Sequence, residues 1–190
     1  MVGAETVSQT IEDLDFEYEN SVAHIVAVTN LQEITVSETA VGPLEEGKEY
    51  EMRYWIAAEL VKSGYARFRE DEPLAFIALN KVHWRETKLQ TGLQISALPD
   101  QFYPKLRRYL KGVREKLSAD PAAANEYVQA NRLAKDIVNC RLKKIVSLAA
   151  TPTHSASIMQ SLSKEEQTLF ENVKNAVDIW ETQILNTENK

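Results

Sequence analysis

Apolar residues recur along this chain with two different periods, and the change between them falls near residue 72. Ser21 to Thr29 is dense in Val, Ile and Ala, and Glu33 to Ser37 alternates polar with apolar, so both read as strands. Gly42-Pro43 and Gly47 mark turns, and Tyr50 to Tyr54 suits a short extended segment. Ile56 and Leu60 then share one side of a short helix, about Tyr54 to Ser63, as do Ala57 and Val61. Gly64 stands where a left-handed helix stop favours glycine. Tyr65-Ala66-Arg67-Phe68 alternates like a returning strand.

From Pro73 onward the period is helical. Pro73 suits a first helical position, and a helix is expected over Leu74 to about Lys88. Gly92 to Pro99 reads as a loop. Tyr103, Leu106, Leu110, Val113 and Leu117 follow the three-and-four spacing of an amphipathic helix, with Pro104 in its first turn. Asp120-Pro121 caps and starts a long helix that reaches about Ala149, where Pro152 prevents continuation. Thr151 to Ser161 is small and polar, a flexible loop. Ser163 and Glu166 form a capping box before a last helix whose face carries Leu169, Phe170, Val173, Val177, Trp180 and Ile184. The pattern predicts an α+β fold that is mainly α. A small N-terminal β-rich domain with one helix (21–72) is followed by a larger helical domain (73–190), and no repeat of solenoid period is present.

Charge sharpens the division. Residues 1–72 hold 16 Asp/Glu against 5 Lys/Arg, whereas residues 73–190 hold 12 against 17. The first 20 residues contain six carboxylates and no Lys or Arg, and read as a solvated acidic extension with order from Ile11 onward. No basic flank precedes an apolar stretch at the start, so a secretory signal is not expected. No apolar run approaches the roughly 20 residues of a membrane span. One cysteine, Cys140, leaves neither an internal disulfide nor a multi-cysteine zinc site, and an intracellular protein is the plain expectation.

The residues that carry chemistry elsewhere are thinly spread here. His24 lies in an apolar strand, His83 in a helix and His154 in a loop, without metal-ligand spacing. No catalytic, cofactor or metal residue is expected. Cys140, mid-helix beside Arg141, reads as an inert thiol more readily than as a reactive one. Lys105, Arg107, Arg108, Lys111, Arg114 and Lys116 crowd one amphipathic helix. They read either as a solvated face or as a contact, through Arg107, Lys111 and Arg114, with phosphate or an acidic partner. A DNA-binding factor using this helix is the alternative functional reading. Arg141 falls on an apolar arc with Ala130, Ala134, Ile145 and Leu148. A guanidinium there needs a partner or an interface. Glu86, at the end of the first long helix, is the expected carboxylate, with Trp84 packed on the guanidinium stem. The long helix has apolar residues over about 220° of its wheel. That arc fits burial within its own domain and packing against another subunit equally well.

Several stretches resemble the GINS subunits of DNA replication. Gly42-Pro43-Leu44 through Gly47, and Met52-Arg53-Tyr54-Trp55 through Tyr65-Ala66, look like the family's small β-rich domain. Trp84-Arg85-Glu86, Leu98-Pro99-Asp100-Gln101-Phe102-Tyr103, Asp136-Ile137-Val138 with Arg141-Leu142 and Lys144-Ile145, and Leu162 to Glu166 with Phe170 resemble its helical domain. The β-rich unit coming first resembles the second and third eukaryotic subunits and their archaeal counterpart, and the archaeal type is expected. Arg141 to Ala149 and Leu162 to Phe170 resemble the other type as much. The resemblance implies a non-enzymatic scaffold without cofactors, in a tetramer of itself or of mixed subunits. It implies that this tetramer holds the MCM helicase to a RecJ-like partner, with no membrane involved. It also implies a cytoplasmic, nucleoid-associated location for an archaeal protein and a nuclear one for a eukaryotic protein.

Overall fold

The computed structural model describes residues 6–70, 73–88, 94–118, 121–151 and 156–185. The expected N-cap at Asp120, the start of the expected Gly92 to Pro99 loop, His154 and the composition boundary at Asp71-Glu72 lie outside these residues. The fold is α+β and mainly helical, with its strands towards the N-terminus. It divides into two compact units, Asp13–Leu74 and a helical unit of Ala75–Lys190 with Met1–Glu12. No helix is long and apolar enough to cross a membrane among the described residues.

The first element departs from the sequence expectation. Instead of a solvated tail, α1 (Val7–Glu19) is a helix. Val7, Ile11, Leu14 and Tyr18 recur at four, three and four residues, and all are half-buried or buried. Acidic composition conceals this stripe, because Glu12, Asp13, Glu17 and Glu19 occupy exposed positions between or just after its members while Asp15 is half-buried.

In the β-rich unit, β1 (Val22–Ala27) is the central strand of a three-stranded sheet, flanked by β4 (Glu49–Arg53) and β5 (Ala66–Phe68), both antiparallel to it. Its alternation turns Ala23, Ile25 and Ala27 into the core. β2 (Ile34–Val36) and β3 (Thr39–Val41) make a separate hairpin. Its turn residues Ser37 and Glu38 have φ of 45° and 70°, the left-handed pair of a two-residue hairpin turn. Ser-Glu carries none of the usual Asn-Gly signal, so β3 was absent from the sequence expectation. α2 (Tyr54–Lys62) closes the unit by burying Ile56, Ala57 and Leu60. It ends as expected at Gly64 (φ 79°): Tyr65 N donates to Leu60 O and Gly64 N to Val61 O. Among the described residues of this unit no charged side chain is buried.

The helical unit is built around α5 (Pro121–Ala149), which packs against α3 (Phe76–Lys88), α4 (Phe102–Glu115) and α7 (Lys164–Leu185). α3 starts two residues later than expected, leaving Pro73 and Leu74 outside the helix. Part of the expected loop before Ser163 is a short helix, α6 (Ala156–Gln160). Ala130, Ala134, Ile137, Ile145 and Leu148 of α5 are buried, as the wheel requires. Among them lies Arg141, also fully buried.

Candidate functional site

Four helices of the helical unit direct charged or hydroxyl groups at one buried point. Arg141 on α5 donates from Nη1 to Glu86 Oε1 on α3 at 2.8 Å. From Nε and Nη2 it grips the carboxylate of Glu166 on α7 at 2.5 and 2.7 Å. Such a two-pronged hold is specific to the planar guanidinium. One turn further along α5, Lys144 Nζ donates to Glu86 Oε2 at 2.8 Å. Tyr103 on α4 donates its hydroxyl to Glu166 Oε1 at 2.7 Å. Glu86, Arg141, Lys144 and Glu166 are each at most 7% exposed. Two carboxylates face two cations, so no net charge is buried.

The network also fixes connecting chain. Ser96 donates its hydroxyl to Glu86, and its carbonyl accepts from Arg141 at 2.8 Å. Glu166 receives the Ser163 N–H at 3.0 Å, and the Glu166 N–H reaches Ser163 Oγ at 3.3 Å, which is the expected capping box. Burial works against the charge of Glu86, but the hydrogen bonds from Lys144 and Ser96 and the nearby Arg141 charge outweigh it. Its carboxyl is therefore held below the ordinary value. Burial likewise opposes the Arg141 charge, and the bonds to Glu166 more than offset it. Burial and the adjacent Glu166 push the Tyr103 hydroxyl well up, so it stays a donor. Each carboxylate of the network is hydrogen-bonded to a cation and to a hydroxyl group. Its chemistry is that of a clasp.

The basic helix is α4. It buries Phe102, Leu106 and Val113, which leaves Lys111 and Arg114 exposed, whereas Arg107 is half-buried beside Tyr103, Val138 and Leu142. The structure therefore does not bring the three expected contact residues to one equally open surface. Elsewhere, His83 Nε2 lies 3.5 Å from Asp136 Oδ2, and His24 Nε2 lies 3.2 Å from Glu51 Oε1. Cys140 Sγ donates to Glu86 O at 3.4 Å. Among the described residues no three His, Cys, Asp or Glu side chains converge as a metal site.

α7 behaves differently along its length. Phe170 is buried, and Leu169, Val173 and Val177 are half-buried. Beyond them Ile179, Trp180, Ile184 and Leu185 are 54–74% exposed. The helix outruns the core of its own unit.

The family model described as Sld5, GINS complex protein helical bundle domain, matches residues 78–184, which contain every residue of this network. The chain belongs to the GINS family. No curated protein matches it. GINS proteins are components of a DNA-replication complex, and membership implies association with other GINS subunits. Within this GINS bundle, Arg141 and Glu86 stand where the sequence reading set them, but Trp84 does not. It is 58% exposed, with Lys88 Nζ 4.1 Å from its ring centroid. Two residues on a helix differ by about 200°, so when Glu86 points inward Trp84 must point out. Glu166 and Lys144 were missed as network members. The capping role of Glu166 masked its longer reach. Lys144, about 60° from Arg141 on the wheel, was a readable signal.

Proposed function

We propose that the chain is a non-enzymatic scaffold subunit that joins other GINS subunits, or copies of itself, in a tetramer. This assembly ties the MCM helicase to a RecJ-like partner at the fork. The observation that carries the reading is the end of α7, where Trp180 and Ile184 continue the apolar stripe of Phe170 and Val173 past the core. Apolar side chains that leave a core at helical spacing suit a second subunit's surface. The clasp supports the same reading, because it holds four helices in fixed register and so presents that surface rigidly. Size-exclusion chromatography with light scattering tests it. Wild type should run as a tetramer or copurify with other GINS subunits, and the Trp180→Asp/Ile184→Asp variant should run near the 21.5 kDa of one chain. A wild type that is a monodisperse monomer at micromolar concentration, with no copurifying partner, contradicts the proposal.

A second reading, DNA contact through α4, draws on the exposure of Lys111 and Arg114. Reversing the charge of Arg107, Lys111 and Arg114 should then weaken DNA binding and flatten its salt dependence. Unchanged binding rejects it.

A further inference from the structure

The β-rich unit keeps an open strand edge beside a groove. β4 pairs with β1 on one side and has no strand on the other among the described residues. Ala27 N donates to Lys48 O, and Tyr54 N donates to Ser21 O, which sets the phase of the ladder. By the alternation of an antiparallel pair, Tyr50 and Met52 direct their backbone groups to β1. The N–H and C=O groups of Glu49 and Glu51, and the N–H of Arg53, therefore face the open edge.

A groove of about 520 Å3 runs along that edge, with Tyr50–Arg53 and Trp55 on one side and Thr39–Leu44 on the other. β3 pairs with β2 and has no strand on its other side among the described residues. Val36 and Thr39 flank the two-residue turn as a hydrogen-bonded pair, so the next residue, Ala40, turns its backbone away from β2. Two unpaired edges thus border one channel. Open edges of this kind are templates for an added strand.

We propose that the groove receives an extended, basic peptide segment of a partner protein, which adds as a strand on β4 and bridges towards β3. The side chains state its chemistry. Glu49 and Glu51 are exposed on one face, beside Arg69 and His24 and followed by exposed Arg53, and Tyr50 and Met52 are half-buried on the other. A strand laid opposite places Lys or Arg against the glutamates and apolar side chains against Tyr50 and Met52. The five residues of β4 accommodate a partner of similar length. The unit's charge acts in the same direction, since Asp13–Leu74 holds 14 Asp/Glu against 5 Lys/Arg. That field attracts a basic segment and repels an acidic one. The inference is independent of assembly through α7, which belongs to the other unit.

An eight-residue blocked peptide alternating Lys and Val, titrated into the full chain, tests the proposal, with the Glu–Val peptide as its control. The Lys–Val probe should bind and slow amide exchange at Glu49, Glu51 and Ala40 by about tenfold or more. The Glu–Val probe should not bind. Glu51→Pro removes an outward N–H without touching a bond to β1, and should weaken binding about tenfold or more. Glu49→Lys/Glu51→Lys keeps the backbone intact and should do the same, so the test survives if the proline variant fails to fold. Equal binding of both probes, protection confined to other amides, or variants that bind like wild type would overturn the proposal. So would protection of the β4 amides that grows with protein concentration without peptide, which would assign the edge to a second copy of the chain.

Discussion

The two units of this chain are held together in opposite ways. Among the described residues the β-rich unit buries no charged side chain. The helical unit places four charged side chains at the meeting point of its helices, as deeply buried as its apolar Ile137, Ile145 and Leu148 or nearly so. Apolar burial is non-directional and tolerates adjustment. A guanidinium with hydrogen bonds to two carboxylates and two backbone carbonyls is satisfied in one arrangement. The difference suggests a division of labour. The backbone ladder already fixes register in the β-rich unit. Helices have no such ladder between them, and here the buried ions set how α3, α5 and α7 align. Stability is not what the ions add most, because desolvating them costs about as much as their attraction returns.

That contrast gives its largest effect at Arg141. Arg141→Ala takes from buried Glu166 the cation it grips and leaves Glu86 with Lys144 as its remaining cation, and should cost about 3–5 kcal/mol in chemical denaturation. Replacing Glu86, Arg141, Lys144 and Glu166 together by apolar residues of similar volume should restore most of that loss while broadening the native ensemble. A single Arg141→Ala that melts like wild type would remove the contrast. In the β-rich unit the comparable test is Leu60→Ala, where a cavity in an apolar core should cost about 2–5 kcal/mol. This loss should be independent of pH from 5 to 8, since no charge is stranded.

Acid should separate the units further. Glu86 has its folded value below its unfolded one, near 4.3. Its contribution is therefore complete above that unfolded value and is lost as pH falls through the folded value. Exchange protection in α3 and α5 should drop at low pH before that of β1. The smallest effect belongs to Trp84→Ala. Exposed and touching Lys88 rather than Arg141, it should cost no more than about 1 kcal/mol.

These residues also show what the sequence made legible. The position of Arg141 followed from the helical wheel alone, because a cation on an apolar arc demands a partner, and Glu86 was the carboxylate at hand. Direction was the weaker inference. Trp84 was set beside Glu86 by chain proximity, although two steps along a helix reverse the face. Glu166 was read for the local bonds it makes to Ser163, while its remaining acceptor sites reach Arg141 across 25 residues. Such a long-range bond has no periodic signature. α1 was hidden differently, since its stripe of Val7, Ile11, Leu14 and Tyr18 was present but outweighed by six carboxylates. β3 was hidden because a Ser-Glu turn carries no glycine. Long amphipathic helices and the capping box of Ser163 and Glu166 were therefore readable, and packing partners mostly were not.

Hydrogen–deuterium exchange of the wild-type chain, compared between its assembled form and the Trp180→Asp/Ile184→Asp variant, bears most directly on the proposed role. Assembly should slow the amides of residues 176–185 by about tenfold or more and leave those of β1 unchanged. Equal rates at 176–185 in both proteins would mean that the exposed end of α7 is not where GINS subunits meet.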